Sequence, residues 1–156
     1  MKLMQGLVMA ISWAVSATAQ EMPLALPLES LRVTSPFGYR THPLLKGSQF
    51  HKGIDLAARQ EPVRAVMVGV VFETGIHPTL GNYIVIDHGG IRSQYGHLRK
   101  IIVEPGRIVT AGEVIGITGH SGRVTGEHLH FALFYNHQPI DPLLFLGKLI
   151  GYITSR

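Results

Sequence analysis

Four side chains in two short stretches, His51-Lys52-Gly53-Ile54-Asp55 and His128-Leu129-His130, are nitrogen and oxygen donors of the kind that bind zinc. Three of them suffice for an open catalytic metal site, in which the protein fills three positions and water the fourth. If both stretches are extended, residues two or four apart share a face, so His51 and Asp55 point one way together, as do His128 and His130. Gly53, between the first pair, then leaves the space above it empty. A carboxylate beside two neutral imidazoles keeps a bound Zn²⁺ net positive, so that water is acidified and a substrate carbonyl polarised.

Either stretch alone is a weak signal, because the chain has nine histidines and short motifs recur by chance. Two surface histidines on a solvated strand account for His128-Leu129-His130 as well. The pair gains weight from a third element, Tyr95-Gly96-His97-Leu98, and from the residues around all three. Ser35-Pro36-Phe37-Gly38-Tyr39-Arg40 comes first, then His51 to Asp55, then Gly81-Asn82-Tyr83-Ile84-Val85-Ile86-Asp87-His88-Gly89. Tyr95 to Leu98, Gly126 to Phe131 and Pro139-Ile140-Asp141-Pro142 follow.

In order and spacing these segments resemble the lysostaphin-like (LytM-type) zinc metallopeptidases, over about Leu31 to Leu146. The resemblance implies that His51, Asp55 and His130 bind one Zn²⁺ and that His97 and His128 are unligated catalytic histidines. It also implies a substrate, the peptide stems or cross-bridges of bacterial peptidoglycan. Two positions depart from the family's habit: Ala132 stands where an acid is frequent, and Glu127 where proline is frequent. Residue 132 shares a strand face with residue 130, so the surroundings that orient the last ligand differ.

The expected chemistry is hydrolysis by metal-activated water. One of His97 and His128 takes the proton from the water and delivers it to the leaving amine; the other hydrogen-bonds the developing oxyanion. The sequence leaves these two roles interchangeable. Glu127 is the weaker base, because adjacent strand residues face opposite sides. Arg40 is a candidate for binding a substrate carboxylate through its fork, with a structural ion pair as the equal alternative, and Arg123 poses the same choice. The competing function is a non-catalytic regulator or activator of another wall hydrolase on the same scaffold. Such a protein typically lacks one or more of the five positions, all of which are filled here. A purely structural zinc site would need a fourth protein ligand, and none is evident.

Residues 1–19 read as an export signal: Lys2, an apolar run from Leu7 to Val15, and Ala17-Thr18-Ala19 as a cleavage site. The run is shorter than the roughly 17–25 residues that span a bilayer. The expected mature protein therefore starts at Gln20, is secreted or periplasmic, and keeps no stable membrane insertion. Cysteine is absent, which excludes disulfides, thiolate ligands and N-terminal lipidation. The net charge is +4, or +3 without Lys2, a mild bias towards anionic wall polymers. No arginine-rich block or aromatic-basic repeat points to nucleic acid.

Residues 20–30, with Pro23 and Pro27, read as an extended lead-in, residues 31–147 as the zinc metallopeptidase domain and 148–156 as a tail. Short β-branched runs separated by glycine occur at Gly69 to Phe72, Tyr83 to Ile86, Ile101 to Val103, Arg107 to Val109, Val114 to Ile117 and Leu129 to Phe134. They predict an all-β, mostly antiparallel fold, a compact sandwich or barrel-sandwich of short strands carrying an active-site groove. One helical turn is expected at Leu143 to Leu146. No room remains for a separate wall-binding module, so wall recognition falls to the groove or to a partner protein. His42, His77 and His137 read as solvated loop histidines, His88 as a strand-end residue and His120 as part of a glycine-rich loop.

Overall fold

The computed structural model describes residues 23–41 and 48–147. The export signal, the mature start at Gln20, His42 and the tail 148–156 lie outside them. Twelve strands follow in order: β1 (Val33–Ser35), β2 (Gly38–Thr41), β3 (Ser48–His51), β4 (Ile54–Ala57), β5 (Pro62–Arg64) and β6 (Gly69–His77). Then come β7 (Gly81–Asp87), β8 (Ile91–Ile101), β9 (Ile108–Val109), β10 (Val114–Thr118), β11 (His128–Tyr135) and β12 (Gln138–Ile140). A short helix, α1, covers 142–147. Asp141 Oδ1 caps it by accepting the Leu143 N–H at 2.8 Å, and Pro142 has no N–H to leave unpaired there.

The strands form one antiparallel ten-stranded sheet in the order β1-β4-β11-β8-β7-β6-β9, with β12 on β11 and β5 on β10; β2 and β3 pair separately. β8 is the hub. Residues Ile91 to Gly96 run beside β11, whereas Leu98 to Ile101 pair with β10, which returns the sheet over its own apolar face. The predicted antiparallel all-β architecture is therefore observed. The run predicted at Ile101 to Val103 is strand only at Ile101, where β8 ends.

Alternation decides what each strand presents. Leu129, Phe131 and Leu133 of β11 are fully buried, as are Ile54 and Leu56 of β4, Ile84 and Ile86 of β7, and Tyr95 of β8. These belong to one core with Val63 and Ile115 of the overlying β5 and β10. The opposite face of the same strands carries Asp55, His128 and His130, so burying the aliphatic set orients the polar set. The β11–β12 turn keeps this register with Asn136 at φ 46° and His137 at φ 65°, the two positive-φ residues of a two-residue hairpin turn.

Tyr95 ties the two layers together. Its ring is fully buried 5.3 Å from that of Phe131, and its hydroxyl accepts the Val66 N–H at 3.0 Å. Burial pushes this phenol up to about 12. Tyr95→Phe would leave the Val66 amide without its acceptor, and chemical denaturation should show a loss of about 1–3 kcal/mol, with the metal content of the folded protein unchanged.

Candidate metal centre

The centre is assembled around β11. β4 lies on one side of it with Asp55 directly opposite His130, and β8 lies on the other with Gly96 opposite His130. Cross-strand partners sit about 5 Å apart at Cβ, so His130 meets the carboxylate on one flank and a residue without a side chain on the other. Two residues earlier on the same face, His128 adds a second imidazole, its Nε2 3.7 Å from Asp55 Oδ1.

His51 arrives differently from the sequence expectation. His51 to Asp55 is not one extended stretch: β3 ends at His51, a bend occupies Lys52-Gly53, and Asp55 belongs to β4. The space above Gly53 is not empty either. A Cβ built there would lie 2.5 Å from the Phe131 carbonyl oxygen, 2.9 Å from Ala132 Cβ and 3.0 Å from His130 Cε1. The bend brings His51 over the end of β4, and only a residue without a side chain lets it pass so close to β11. Ala132, the departure noted in the sequence, is part of this close contact.

His51 Nε2, Asp55 Oδ1 and His130 Nδ1 are separated by 3.3, 2.9 and 3.2 Å. Tetrahedral zinc with bonds of about 2.0–2.1 Å requires ligand atoms roughly 3.3 Å apart, so the donor set fits a metal without rearrangement. These three residues form the candidate metal site among the described residues. Burial of Asp55 opposes its ionisation, but the adjacent imidazoles of His130 and His51 outweigh that and hold its carboxyl well below the usual range.

Backbone carbonyls fix the other imidazoles. Nδ1–H of His51 donates to Pro36 O, that of His97 to Ser121 O and that of His128 to Gly126 O, each at 2.9 Å. With the proton on Nδ1, each neutral ring keeps an unprotonated Nε2. The His97 and His128 rings are 4.6 Å apart, and that of His97 is 6.0 Å from His130. His97 lies in a bulge: Gly96 and His97 together face Tyr83, because Asn82 pairs with Leu98 and Ile84 with Tyr95. Its φ is 62°, a conformation costly for a non-glycine residue and concentrated at functional sites. Burial lowers the pKa of His97, as does its proximity to the other two histidines, against a raising contribution from the Ser121 carbonyl. The neutral form of the ring is therefore favoured, although the Asp55 carboxylate also opposes the shift.

Ser121 was not singled out by sequence reasoning, although it lies in the Gly119-His120-Ser121-Gly122 loop that was. Its hydroxyl donates to Leu98 O at 2.7 Å and accepts the Asn82 N–H at 2.9 Å, which locks the loop that orients His97. Gly81 and Gly122 make this latch possible, since a Cβ on Gly122 would lie 2.3 Å from Gly81 N. Arg40 donates to Ser35 Oγ at 2.6 Å and approaches Asp55 Oδ2 to 3.8 Å, so it borders the cluster. Glu127 turns away and accepts the Gln60 N–H. His77 caps its own turn through the Thr79 N–H at 3.1 Å, His120 is exposed, and the Arg123 N–H bonds Thr79 O at 2.9 Å. The His88 ring reaches past its turn to Val68 O at 2.9 Å and Ser93 Oγ at 2.7 Å.

An antiparallel scaffold that converges two imidazoles and a carboxylate, with two further histidines alongside, is that of a metallopeptidase domain. The chain belongs to peptidase family M23, whose model matches residues 49–142. It is similar to the DD-carboxypeptidase/endopeptidase Mpg of Neisseria meningitidis, 44% identical over 119 residues, which are 75% of this chain and 27% of Mpg. It is 42% identical to the peptidoglycan DD-endopeptidase ShyA of Vibrio cholerae over 115 residues, 72% of this chain and 27% of that protein. The chain thus spans about a quarter of the length of these curated relatives. A crystal structure of a zinc-containing peptidase from Vibrio cholerae superposes with a TM-score of 0.72 at 36% identity, covering 76% of this chain and 39% of that one.

Gly53→Ala tests the close approach. The added methyl must displace His130 or the β11 backbone, so metal bound per folded chain, measured by elemental analysis after dialysis, should fall at least tenfold in affinity while the far-ultraviolet circular dichroism stays that of the parent.

Proposed function

We propose that the chain is a zinc-dependent endopeptidase that hydrolyses peptide cross-links or stem peptides of bacterial peptidoglycan. The observation that carries this reading is the pair of imidazoles, His97 and His128, each held at Nδ1 by a backbone carbonyl beside the three-donor cluster of His51, Asp55 and His130. The names of the relatives, DD-endopeptidase and DD-carboxypeptidase/endopeptidase, support the substrate. The regulator reading has less behind it, because all five positions are intact and the donors already sit at ligand spacing.

His51, Asp55 and His130 would hold the zinc. Its chemistry there would be that of a Lewis acid, lowering the pKa of water towards about 7 and polarising the scissile carbonyl. Nε2 of His128 or His97 takes the proton from the attacking water and returns it to the leaving amine. The other histidine, once it has taken up a proton from solvent at Nε2, donates a hydrogen bond to the oxyanion. The Ser121 and Gly126 carbonyls keep Nδ1 protonated throughout, so each ring exchanges protons at one atom only. Arg40, beside Asp55, would meet a carboxylate of the substrate.

A substrate outside the cytoplasm fits an exported protein, with residues 1–19 removed and a secreted or periplasmic product. N-terminal sequencing of exported material should begin at Gln20; full-length protein in the membrane fraction would contradict it.

Three alanine variants separate ligand from catalyst. His130→Ala should lose both zinc and hydrolysis of purified peptidoglycan. His128→Ala and His97→Ala should retain stoichiometric zinc and lose about 10²–10⁴-fold in turnover, the usual scale for a general acid-base group. Zinc lost from His128→Ala but kept in His130→Ala would exchange the assignments. Full activity in all three would remove the cluster from the mechanism.

A further inference from the structure

A concavity opens on the face of the sheet that carries the histidine cluster. His130, Ala132 and Phe134 alternate along that face of β11, opposite Gly96, Gln94 and Arg92 of β8. At about 3.4 Å per residue, Gln94 lies roughly 7 Å and Arg92 roughly 14 Å along the strands from the His130 position. The cavity there has a volume of about 450 Å³, with Val85 and Gln94 among its lining residues and Glu73, Arg92 and His137 around it. Its size is that of a small-ligand site with a few convergent polar groups.

The charges in it are unequally engaged. Arg92 donates Nε–H to Asp87 Oδ2 at 3.0 Å, and its guanidinium carbon lies 3.9 Å from the centroid of the Phe72 ring. These contacts fix the plane of the fork, yet its two terminal amino groups make no hydrogen bond to another described residue. Asp87 is also occupied on its other oxygen, which accepts the Gly89 N–H at 2.9 Å. Glu73 accepts the Tyr83 hydroxyl on Oε1 and has no partner on Oε2 among the described residues. The Arg92–Asp87 pair is about one-third exposed, where ion pairs add little stability. One open guanidinium edge and one open carboxylate oxygen remain in a single cavity.

We infer that this cavity is a subsite for an amino-acid head group, a carboxylate and an ammonium on one carbon, borne by the peptide that is cut at the histidine cluster. The inference rests on the endopeptidase reading. The carboxylate meets the terminal amino groups of Arg92 end-on, and the ammonium meets Glu73 Oε2. A carboxylate alone would face the two acidic side chains of the lining with one guanidinium to offset them, so both charges of the head group are required. An extended peptide advances about 3.3–3.6 Å per residue, and Ala132 between the two is covered by the Gly53 bend, so the head group lies at least two to four residues from the scissile bond.

The test uses three synthetic versions of one cross-linked wall peptide: with a free amino-acid head group at that distance, with its carboxylate amidated, and with its amine acetylated. For the parent protein each modification should raise KM about tenfold, the scale of a charged hydrogen bond. Arg92→Gln should raise KM for the unmodified peptide about tenfold and cease to distinguish it from the amidated one, while still rejecting the acetylated one. Glu73→Gln, which keeps the acceptor for Tyr83, should do the reverse. Zinc content and thermal midpoint are read on both, and Arg92→Lys, with charge but no fork, should lie between parent and Arg92→Gln in KM. Equal KM for the three peptides with the parent protein, or variants that discriminate as the parent does, would overturn the subsite and leave the endopeptidase standing. Failure of the parent protein to cleave any of the three would overturn the endopeptidase reading, and the subsite with it.

Discussion

The pairing of β11 with β4 and β8 is the constraint on which the rest depends. Strand pairing has a period of two, so a slip of one residue would send His128 and His130 into the core and Leu129 and Phe131 to the surface. The energetic penalty of that slip is set by the aliphatic and aromatic residues, each fully buried on the inner face. The polar residues need contribute nothing to the choice of register. The hydrophobic face thus holds His130 against Asp55 with a determinacy that hydrogen bonds at a half-open surface could not supply.

The second layer of organisation is tautomeric. Three histidines donate Nδ1–H to backbone carbonyls that belong to a turn, a loop and the residues leading into a strand. A main-chain acceptor cannot be protonated and moves only with its segment, so each ring has one orientation and one free nitrogen. His130 is the exception, presenting Nδ1 instead to Asp55 and His51. It stands in the centre of the sheet with neighbours on both sides, where strand pairing supplies the rigidity that carbonyl clamps give the others.

Much of this was legible in the residues. Donor types at strand spacing, with the resemblance that surrounding segments carry, pointed to the cluster, and β-branched runs between glycines pointed to antiparallel strands. What escaped was non-local. That Lys52-Gly53 is a bend, not the middle of a strand, follows from β11 passing 2.5 Å from where a Cβ of Gly53 would sit, a contact across nearly half the chain. His97 was expected on a strand, but the extent of β8 was not legible, because Gly96 and His97 form a bulge inside it that breaks the alternation by which strands are read. Ser121 carries no chemistry of its own and becomes recognisable only through the groups it bonds, Leu98 and Asn82. The cavity at Arg92 gathers residues from four strands and two turns, which only the folded sheet brings together.

His51 differs from the other members of the cluster in its support. Asp55, His97, His128 and His130 stand on the ten-stranded sheet, whereas His51 ends a strand pair, β2 and β3, that forms a separate two-stranded sheet among the described residues. The pair carries Tyr39, 80% exposed, and Phe50 at its flank, stacked edge to face at 5.0 Å. Floor and wall of the cleft are therefore built on separate foundations. Exchanges of residues along β2 and β3 therefore touch no pairing of β4, β8 or β11, and the register that sets Asp55 opposite His130 does not depend on them.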